Sequence, residues 1–187
     1  MAITPLDLNT ALVIIDLQKG IVSYPTAHPI DEVVARASDL AAAFRRHHLP
    51  VVLVTVAGGA PGRTEQPISG TERPADWVHL IPELTPQPED LLVTKNTWGA
   101  FTDTNLYAHL KERGVTQVVL AGVATSFGVE STARHAHELG FHVALAVDAM
   151  TDLDLDSHNH SVTRIFPRLG QNATTHEILD LLHKRFE

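Results

Sequence analysis

Short apolar runs recur along this chain with helical patterns between them. Three of the runs read "ALVIID" at residues 11–16, "PVVLVTV" at residues 50–56 and "QVVLAGV" at residues 117–123. Unbroken runs of valine, isoleucine and leucine, without alternating polar residues, are typical of strands buried on both faces. Strands that alternate with helices form βαβ units, so the sequence predicts an α/β fold built on a parallel sheet.

The ends of the predicted helices are marked by glycine. Gly114 follows the helical pattern that ends in "KERG", and Gly140 follows the one that ends in "HELG". Each glycine is predicted to end its helix as a left-handed C-cap. The final "NATTHEILDLLHKRFE" predicts a short edge strand, a threonine cap and a closing helix. Because 187 residues with 44% hydrophobic content can build one large core, we expect a single domain over residues 1–187.

Charge and composition argue against several classes of function. The net charge is -8 and no basic cluster exceeds the Arg45-Arg46 pair, so we expect no nucleic-acid partner. The first twenty residues carry no basic segment and only a short apolar run, so we expect no membrane association and a cytoplasmic location. The chain has no cysteine, which excludes disulfides, thiolate catalysis and zinc–thiolate sites.

One long segment interrupts the alternation of strands and helices. It runs from Ala57 to Pro88, is rich in glycine and proline, and contains Trp77. Loops of this length inside a compact domain are usually lids, binding loops or oligomer contacts. The alternative is a solvent-exposed excursion that packs under its own side chains.

Charged side chains stand where two of the predicted strands end. Asp16 follows "LVII" and Lys95 follows "LLVT". Ligands of open parallel sheets bind beyond the carboxyl ends of the strands. We expect the two residues to leave adjacent strands and lie close together, each favouring the charged form of the other. The alternative is a structural role, with the aspartate bonding to its own loop and the lysine solvated.

A third strand end leads into a helix that is predicted to begin near Ser126, the expected N-cap. The free N–H groups and the positive dipole end of this helix would favour an anion in the same crevice. Gly128 lies in its first turn, where glycine costs roughly 0.5–1 kcal/mol relative to alanine, so the position indicates a need for bare backbone. Neither Ser126 nor Ser131 is expected to act as a nucleophile, because no histidine is placed in sequence to activate it.

Other candidates lie near these residues in sequence. Gln18, Trp98 and Phe101 are predicted to line the pocket, with plain core packing as the alternative. The run "DLDLDSHNH" at residues 152–160 offers carboxylates and imidazoles for a cation. Because its spacing is irregular, we interpret it as a solvated loop that leads into a helix.

Four segments together resemble a known family. In their order and spacing, "ALVIIDLQKG", "TKNTWGAF", "GVATSFGVESTARHAHELGF" and "VALAVDAMTD" are similar to the isochorismatase-like hydrolases, which include isochorismatases, nicotinamidases and related amidases. The resemblance extends from about Thr10 to the C-terminal helix. It implies a Rossmann-like three-layer α/β/α sandwich with a six-stranded parallel sheet. It also implies a small-molecule substrate and assembly into a homodimer or homotetramer.

The resemblance assigns roles to individual residues. The catalytic aspartate of the family falls on Asp16, its catalytic lysine on Lys95, and the nucleophilic cysteine of its amidase members on Gly128. It further implies a cis peptide between Val123 and Ala124, with the Ala124 amide as a donor to a substrate oxygen. Amidase members form a thioester through the cysteine, and this chain cannot follow that route.

The stretch after the predicted second strand bears on metal binding. Nicotinamidase-type members bind a divalent ion through an aspartate and histidines that follow the second strand. The corresponding stretch here, "VTVAGGAPGRT", contains neither aspartate nor histidine. We therefore predict no catalytic metal and no cofactor.

Three functions remain open from the sequence. In the first, Asp16 protonates the vinyl ether of isochorismate or a similar acid, as in the isochorismatases that resemble this pattern with glycine at the cysteine position. In the second, activated water hydrolyses another small molecule. In the third, the protein is a non-catalytic or vestigial small-molecule-binding member of the nicotinamidase-like amidase branch, because "GVATSFGVESTAR" is of the amidase type with only the cysteine exchanged.

Overall fold

Strands and helices alternate through residues 3–65 and 73–186, the part of the chain that the computed structural model describes. The strands are β1 (Thr10–Ile15), β2 (Val51–Val56), β3 (Leu91–Lys95), β4 (Gln117–Val123), β5 (His142–Thr151) and β6 (Gln171–Ala173). The helices are α1 (Lys19–Val22), α2 (Ile30–Arg46), α3 (Leu106–Glu112), α4 (Glu130–Glu138), α5 (Leu155–His160), α6 (Phe166–Leu169) and α7 (Thr175–Phe186).

The six strands form one parallel sheet in the order β3-β2-β1-β4-β5-β6. Along the chain, the sheet grows from β1 towards β3 in one direction and from β4 towards β6 in the other. The winding therefore reverses between β1 and β4, and the carboxyl ends of these strands border the crevice where ligands of such sheets bind. The six-stranded parallel sheet predicted from the sequence is confirmed.

Two hydrophobic cores lie on opposite faces of this sheet. In β1, Leu12 and Ile14 point into one core, whereas Ala11, Val13 and Ile15 point into the other. The first core includes side chains of α2 and α7, and the second includes side chains of α3, α4 and α6. Helices therefore cover both faces, which confirms the three-layer α/β/α sandwich and explains why the central strands β1, β2 and β4 are largely apolar.

The longest helix, α2, shows how the sequence places a helix on the sheet. Ala37, Leu40, Ala41 and Phe44 recur at intervals of three or four residues and are fully buried. Acidic residues stand in its first turn and arginines in its last, which complements the helix dipole. Burial of a side chain such as Phe44 contributes roughly 1.5–3 kcal/mol, so this apolar stripe fixes the helix against the sheet.

The predicted helix ends are present. Gly114 and Gly140 adopt left-handed φ values of 65° and 85° after α3 and α4. At the start of α7, Thr174 and Glu177 form a reciprocal cap, in which each side chain accepts the backbone N–H of the other residue. Among the described residues, no helix combines the length and the apolar character that a membrane crossing requires.

The long segment from Ala57 to Pro88 is anchored to the chain that follows β1. Residues 66–72 of this segment lie outside the described part. Further along, Trp77 is 8% exposed, and its carbonyl accepts the Gly20 N–H at 3.0 Å, while His79 accepts the Lys19 N–H at 2.8 Å. The described portion after residue 72 therefore runs along the backbone directly beyond Asp16 and stabilises it.

At the switch point, β1 and β4 approach closely. Gly122 has a φ of 118°, and a Cβ built on it would lie 2.0 Å from the Ile15 carbonyl oxygen. Only glycine fits this contact, because it tolerates the left-handed backbone and carries no side chain. The contact brings the end of β4, and the turn after it, against the last residue before Asp16.

Candidate active site

A buried ion pair lies at the carboxyl edge of the sheet. Asp16 directly follows β1 with a left-handed φ of 52°, and Lys95 is the last residue of β3. Lys95 Nζ lies 2.8 Å from Asp16 Oδ2, and the two residues are 2% and 5% exposed. The two predicted site residues are therefore together. The expectation that their strands are adjacent is wrong, because β2 lies between β1 and β3 and the long lysine side chain crosses its end.

The environment of Asp16 favours its protonated form. Burial raises the pKa of Asp16 to about 6, although the charge and the hydrogen bond of Lys95 act in the opposite direction. Within the described part of the chain, Asp16 Oδ1 is buried and has no hydrogen-bond partner. Because an unpartnered buried carboxylate oxygen is costly, this atom is available to hold a proton or to bind a ligand group.

Lys95 is held from two sides. Besides the bond to Asp16 Oδ2, its Nζ donates to the Thr97 carbonyl oxygen at 3.1 Å. An ammonium group has three N–H donors, so the described contacts leave one for a ligand oxygen.

Gly128 faces the ion pair from the other side of the crevice. It belongs to a π-helical turn at Thr125–Val129, which leads into α4. A Cβ built on Gly128 would lie 3.3 Å from Asp16 Oδ2 and 2.9 Å from Ile15 Cγ2. A side chain at this position would therefore crowd Ile15 and the carboxylate, and glycine is the residue that keeps the backbone of the turn this close to Asp16.

The predicted N-cap role of Ser126 is wrong. Ala124 precedes the turn, and the backbone N–H of Ser126 donates to Asp152 Oδ2 at 2.6 Å. The other oxygen of Asp152 accepts the Leu153 N–H at 2.8 Å. A carboxylate from the end of β5 thus satisfies one of the N–H groups that the sequence suggested were free for an anion.

Residues 152–160 form a short loop followed by α5, and six of the nine are exposed, as the interpretation as a solvated loop leading into a helix expects, with two exceptions. Asp152 and His158 are buried, and His158 lies within α5. His158 Nδ1 lies 2.8 Å from Thr125 Oγ1, and the His28 ring stands edge-on to it at 4.6 Å between centroids. Burial, followed by the proximity of His28, lowers the pKa of His158. Residues 152–160 therefore help to fix the turn that carries Gly128. This contact depends on the pairing of β5 with β4, which a local sequence pattern does not show.

Two residues predicted to line the pocket make structural contacts. Gln18 Nε2 donates to the carbonyls of Val56 and Trp77 at 3.0 and 3.1 Å, and its Oε1 accepts the Val56 N–H at 2.7 Å. Phe101 is buried and stacks on Phe141 at 6.0 Å between centroids. Gln18 therefore joins the end of β2 to the long segment, and Phe101 packs in the core. A contact of either residue with substrate stays a prediction.

Trp98 stands in the open at the crevice, and so does a residue that the sequence analysis did not single out. Trp98 is 56% exposed and Phe127 is 41% exposed, and their rings meet nearly at right angles with centroids 4.9 Å apart. Phe127 directly precedes Gly128, and this adjacency was the signal available in the sequence. The implied cis peptide between Val123 and Ala124 is present, while the role of the Ala124 amide stays a prediction.

The crevice combines a carboxyl group that titrates near neutral pH with an ammonium group. Among residues 3–65 and 73–186, no three histidine, aspartate or glutamate side chains converge as metal ligands do. The chain has no thiol. What the crevice presents is a carboxyl group with a raised pKa, an ammonium group beside it, and a backbone without a side chain at Gly128.

Comparison with known proteins places the chain in a family. Residues 10–177 match the Isochorismatase domain. The uncharacterized isochorismatase family protein YwoC of Bacillus subtilis is 44% identical over 182 residues, which cover 92% of this chain and 93% of YwoC. The corresponding protein YecD of Escherichia coli O157:H7 is 41% identical over 187 residues, which cover 95% of this chain and 100% of YecD.

A solved structure agrees with these sequences. An isochorismatase family protein from Burkholderia thailandensis superposes with a TM-score of 0.92 at 41% identity, over 97% of this chain and 100% of the other. The match in sequence and in structure extends over nearly the whole chain. The protein described here is therefore a member of the isochorismatase family.

Proposed function

We propose that this protein is a hydrolase that cleaves the vinyl ether of isochorismate, or of a closely related carboxylic acid, without a covalent enzyme intermediate. The observation that supports this most strongly is that Asp16 Oδ1 is buried and has no hydrogen-bond partner among the described residues. The carboxyl group to which it belongs has a pKa raised to about 6. A carboxyl group that titrates this close to neutral pH is suited to general acid catalysis.

The reaction needs a proton, not a nucleophilic side chain. Asp16 would transfer its proton to the terminal enol carbon, which leaves an oxocarbenium ion at the ether carbon. Water then adds to that carbon, and the resulting hemiketal collapses to pyruvate and a dihydroxycyclohexadiene acid. The ionised Asp16 regains its proton in this sequence, so each turnover consumes one water molecule and leaves the enzyme unchanged.

Lys95 would serve both the acid and the substrate. Its bond to Asp16 Oδ2 fixes the carboxyl group and leaves Oδ1 as the proton-carrying atom. When Asp16 is protonated, the lysine charge is no longer balanced by a carboxylate, and it attracts the carboxylate of the substrate. Binding of an anionic substrate and protonation of Asp16 thus favour each other.

Gly128 would keep a side chain away from the proton donor. It stands at the position that the resemblance assigns to the cysteine of the amidases, and its missing Cβ would lie 3.3 Å from Asp16 Oδ2. An ether bridge bound beside the proton donor must occupy the space in front of this atom. A thiol there would fill it, and the chain supplies none.

The bond that is broken distinguishes this mechanism from others. In water enriched in ¹⁸O, addition of water to the vinyl carbon puts the label in pyruvate, which lactate dehydrogenase and NADH trap at once as lactate. We expect label in the lactate hydroxyl and none in the cyclohexadiene diol. Label in the diol would mean that water attacks the ring carbon, and absence of both products would remove vinyl-ether hydrolysis of isochorismate as the function.

A further inference from the structure

Exposed apolar side chains gather around the crevice. Among the described residues, eight large hydrophobic side chains are exposed. Five of them lie in segments that follow the carboxyl ends of the strands: Tyr24, Trp98, Phe127, Leu153 and Leu155. Exposed apolar groups that cluster beside a site of charged residues mark a surface that contacts an apolar part of a ligand.

Trp98 and Phe127 belong to the same short stretches of backbone as the charged site. Trp98 lies three residues after Lys95, and its carbonyl oxygen is 3.5 Å from the point where a Cβ on Gly128 would stand. The same point is 3.3 Å from Asp16 Oδ2. Phe127 is the neighbour of Gly128 in the chain. The backbone that carries the two rings therefore lies next to Gly128 and the proposed proton donor.

The two rings hold each other in place and leave much of their surface open. Their edge-to-face contact at 4.9 Å is a favourable aromatic geometry. Trp98 is nevertheless 56% exposed and Phe127 41% exposed. Each side chain has only two rotatable bonds, so a ligand ring that covers them loses little conformational freedom in the protein.

We propose that Trp98 and Phe127 form a ring-binding wall, which selects substrates whose ether carries a six-membered unsaturated ring over open-chain ether acids. The proposal rests on the proposed function for the placement of the ether beside Asp16. The ring lies against the exposed aromatic surface, the ether oxygen lies in front of Gly128, and a carboxylate approaches the remaining N–H of Lys95.

The test uses two ethers that the protein cannot hydrolyse by this mechanism, because neither has the enolpyruvyl vinyl group that Asp16 would protonate. The ring probe is 3-(1-carboxyethoxy)benzoate, and the open-chain probe is 2-ethoxypropanoate, which keeps the ether and one carboxylate. Isothermal titration calorimetry of the full chain gives both dissociation constants. The variants are Trp98→Ala, Phe127→Ala and the milder Phe127→Leu, each checked for an unchanged circular dichroism spectrum.

Tyr107 offers a matched control. Tyr107 lies in α3 and is 40% exposed, close to the value for Phe127. Its ring meets the Phe141 ring edge-on, with centroids 6.0 Å apart. We expect the ring probe to bind more tightly than the open-chain probe. Trp98→Ala and Phe127→Ala should each weaken the ring probe at least about tenfold, whereas Tyr107→Ala should change it less than about twofold.

The results separate this inference from the proposed function, because the titrations need no turnover. Unchanged ring-probe affinity in both alanine variants, an equal loss for the open-chain probe, or no binding of the ring probe to the unaltered protein would each overturn the wall. Failure to release pyruvate from isochorismate, combined with ring-probe binding that depends on Phe127, would overturn the vinyl-ether reaction and leave the wall in place.

Discussion

Asp16 combines three features that are individually unusual for an aspartate. Its backbone is left-handed, its carboxyl group is buried, and one carboxyl oxygen has no partner among the described residues. Desolvation favours the neutral acid, while Lys95 favours the carboxylate, and desolvation is the stronger of the two. Such opposition keeps a carboxyl group close to its point of titration near neutral pH, where a proton donor is most effective.

The pH dependence of activity follows from this balance. Because the proposed mechanism uses Asp16 in its protonated form and the pKa of Asp16 is about 6, kcat/KM should be nearly constant below pH 6 and fall about tenfold per pH unit well above it. Initial rates between pH 5 and 9, in buffers of constant ionic strength, measure this. A rate that rises with pH through 6 would show that the ionised carboxylate is the active form.

The same shift has a consequence for stability, with a definite sign. The folded-state pKa of Asp16 lies above the ordinary value of 3.8, so the folded state binds this proton more tightly than the unfolded state. The contribution of Asp16 to the free energy of unfolding is therefore fully present below pH 3.8 and declines as the pH rises through 6.

Gly128 is the second position where the proposed mechanism depends on a single residue. In Gly128→Ala, the new methyl group would lie 2.9 Å from Ile15 Cγ2 and 3.3 Å from Asp16 Oδ2. The crowding should lower the melting temperature. It should also displace the substrate from the proton donor and lower kcat/KM at least about tenfold. Gly59→Ala is the control, because a Cβ there meets nothing within 4 Å. Full activity in Gly128→Ala would contradict the requirement for glycine at this position.

At the scale of elements, the turn between β4 and α4 depends on a residue far away in sequence. Asp152 follows β5 and accepts the N–H groups of Ser126 and Leu153, and its carbonyl accepts the N–H of Ala27 at 2.8 Å. His158 holds the neighbouring Thr125 through its ring nitrogen. The position of Gly128 is thus fixed by the segments that follow β1 and β5 as well as by its own turn.

Removal of the Asp152 carboxylate tests this role. Asp152→Ala leaves two part-buried N–H groups without their acceptor, so we expect a loss of about 1–3 kcal/mol in the free energy of unfolding, measured by urea denaturation. Activity should fall as well, because the turn loses its anchor. Asp154→Ala is the matched control: this exposed aspartate caps α5 through Ser157, and its loss should cost about 1 kcal/mol without affecting kcat.

These contacts show where sequence reasoning ends. The ends of β1 and β3 carried visible signals, because Asp16 and Lys95 directly follow apolar runs, and the topology of such sheets brings those ends together. Asp152 also follows an apolar run, but its partner at Ser126 is set by the pairing of β4 with β5, including the register shift between Leu120 and Gly122. A local pattern carries no information about such a contact.

At the scale of the whole molecule, the alternation of strands and helices was sufficient to predict the architecture. The unbroken apolar runs of β1 and β4 predicted strands buried on both faces, and both strands are fully buried. Such strands require a sheet with helices on each side. The strand order was less accessible from local patterns, so the insertion of β2 between the strands of Asp16 and Lys95 was missed. The long segment was also beyond prediction, since Trp77 reaches its buried position only by packing against Gly20, which is distant in sequence.

The resemblance also predicts self-association. We expect a homodimer or homotetramer in solution, so light scattering coupled to size-exclusion chromatography should give twice or four times the monomer mass over a tenfold range of protein concentration. A single species of monomer mass at the highest concentration would contradict the expectation, and it would show that the crevice is complete within one chain if such a monomer is active.

In the proposed mechanism, Asp16 donates the proton that starts vinyl-ether hydrolysis. Pyruvate release from isochorismate, coupled to NADH oxidation by lactate dehydrogenase, tests it when the unaltered protein is compared with Asp16→Asn, whose folding is checked by circular dichroism. We predict release by the unaltered protein and a loss of at least about a hundredfold in the variant, the size of a missing general acid. Equal rates in the two proteins, or no release by the unaltered protein, would contradict the claim.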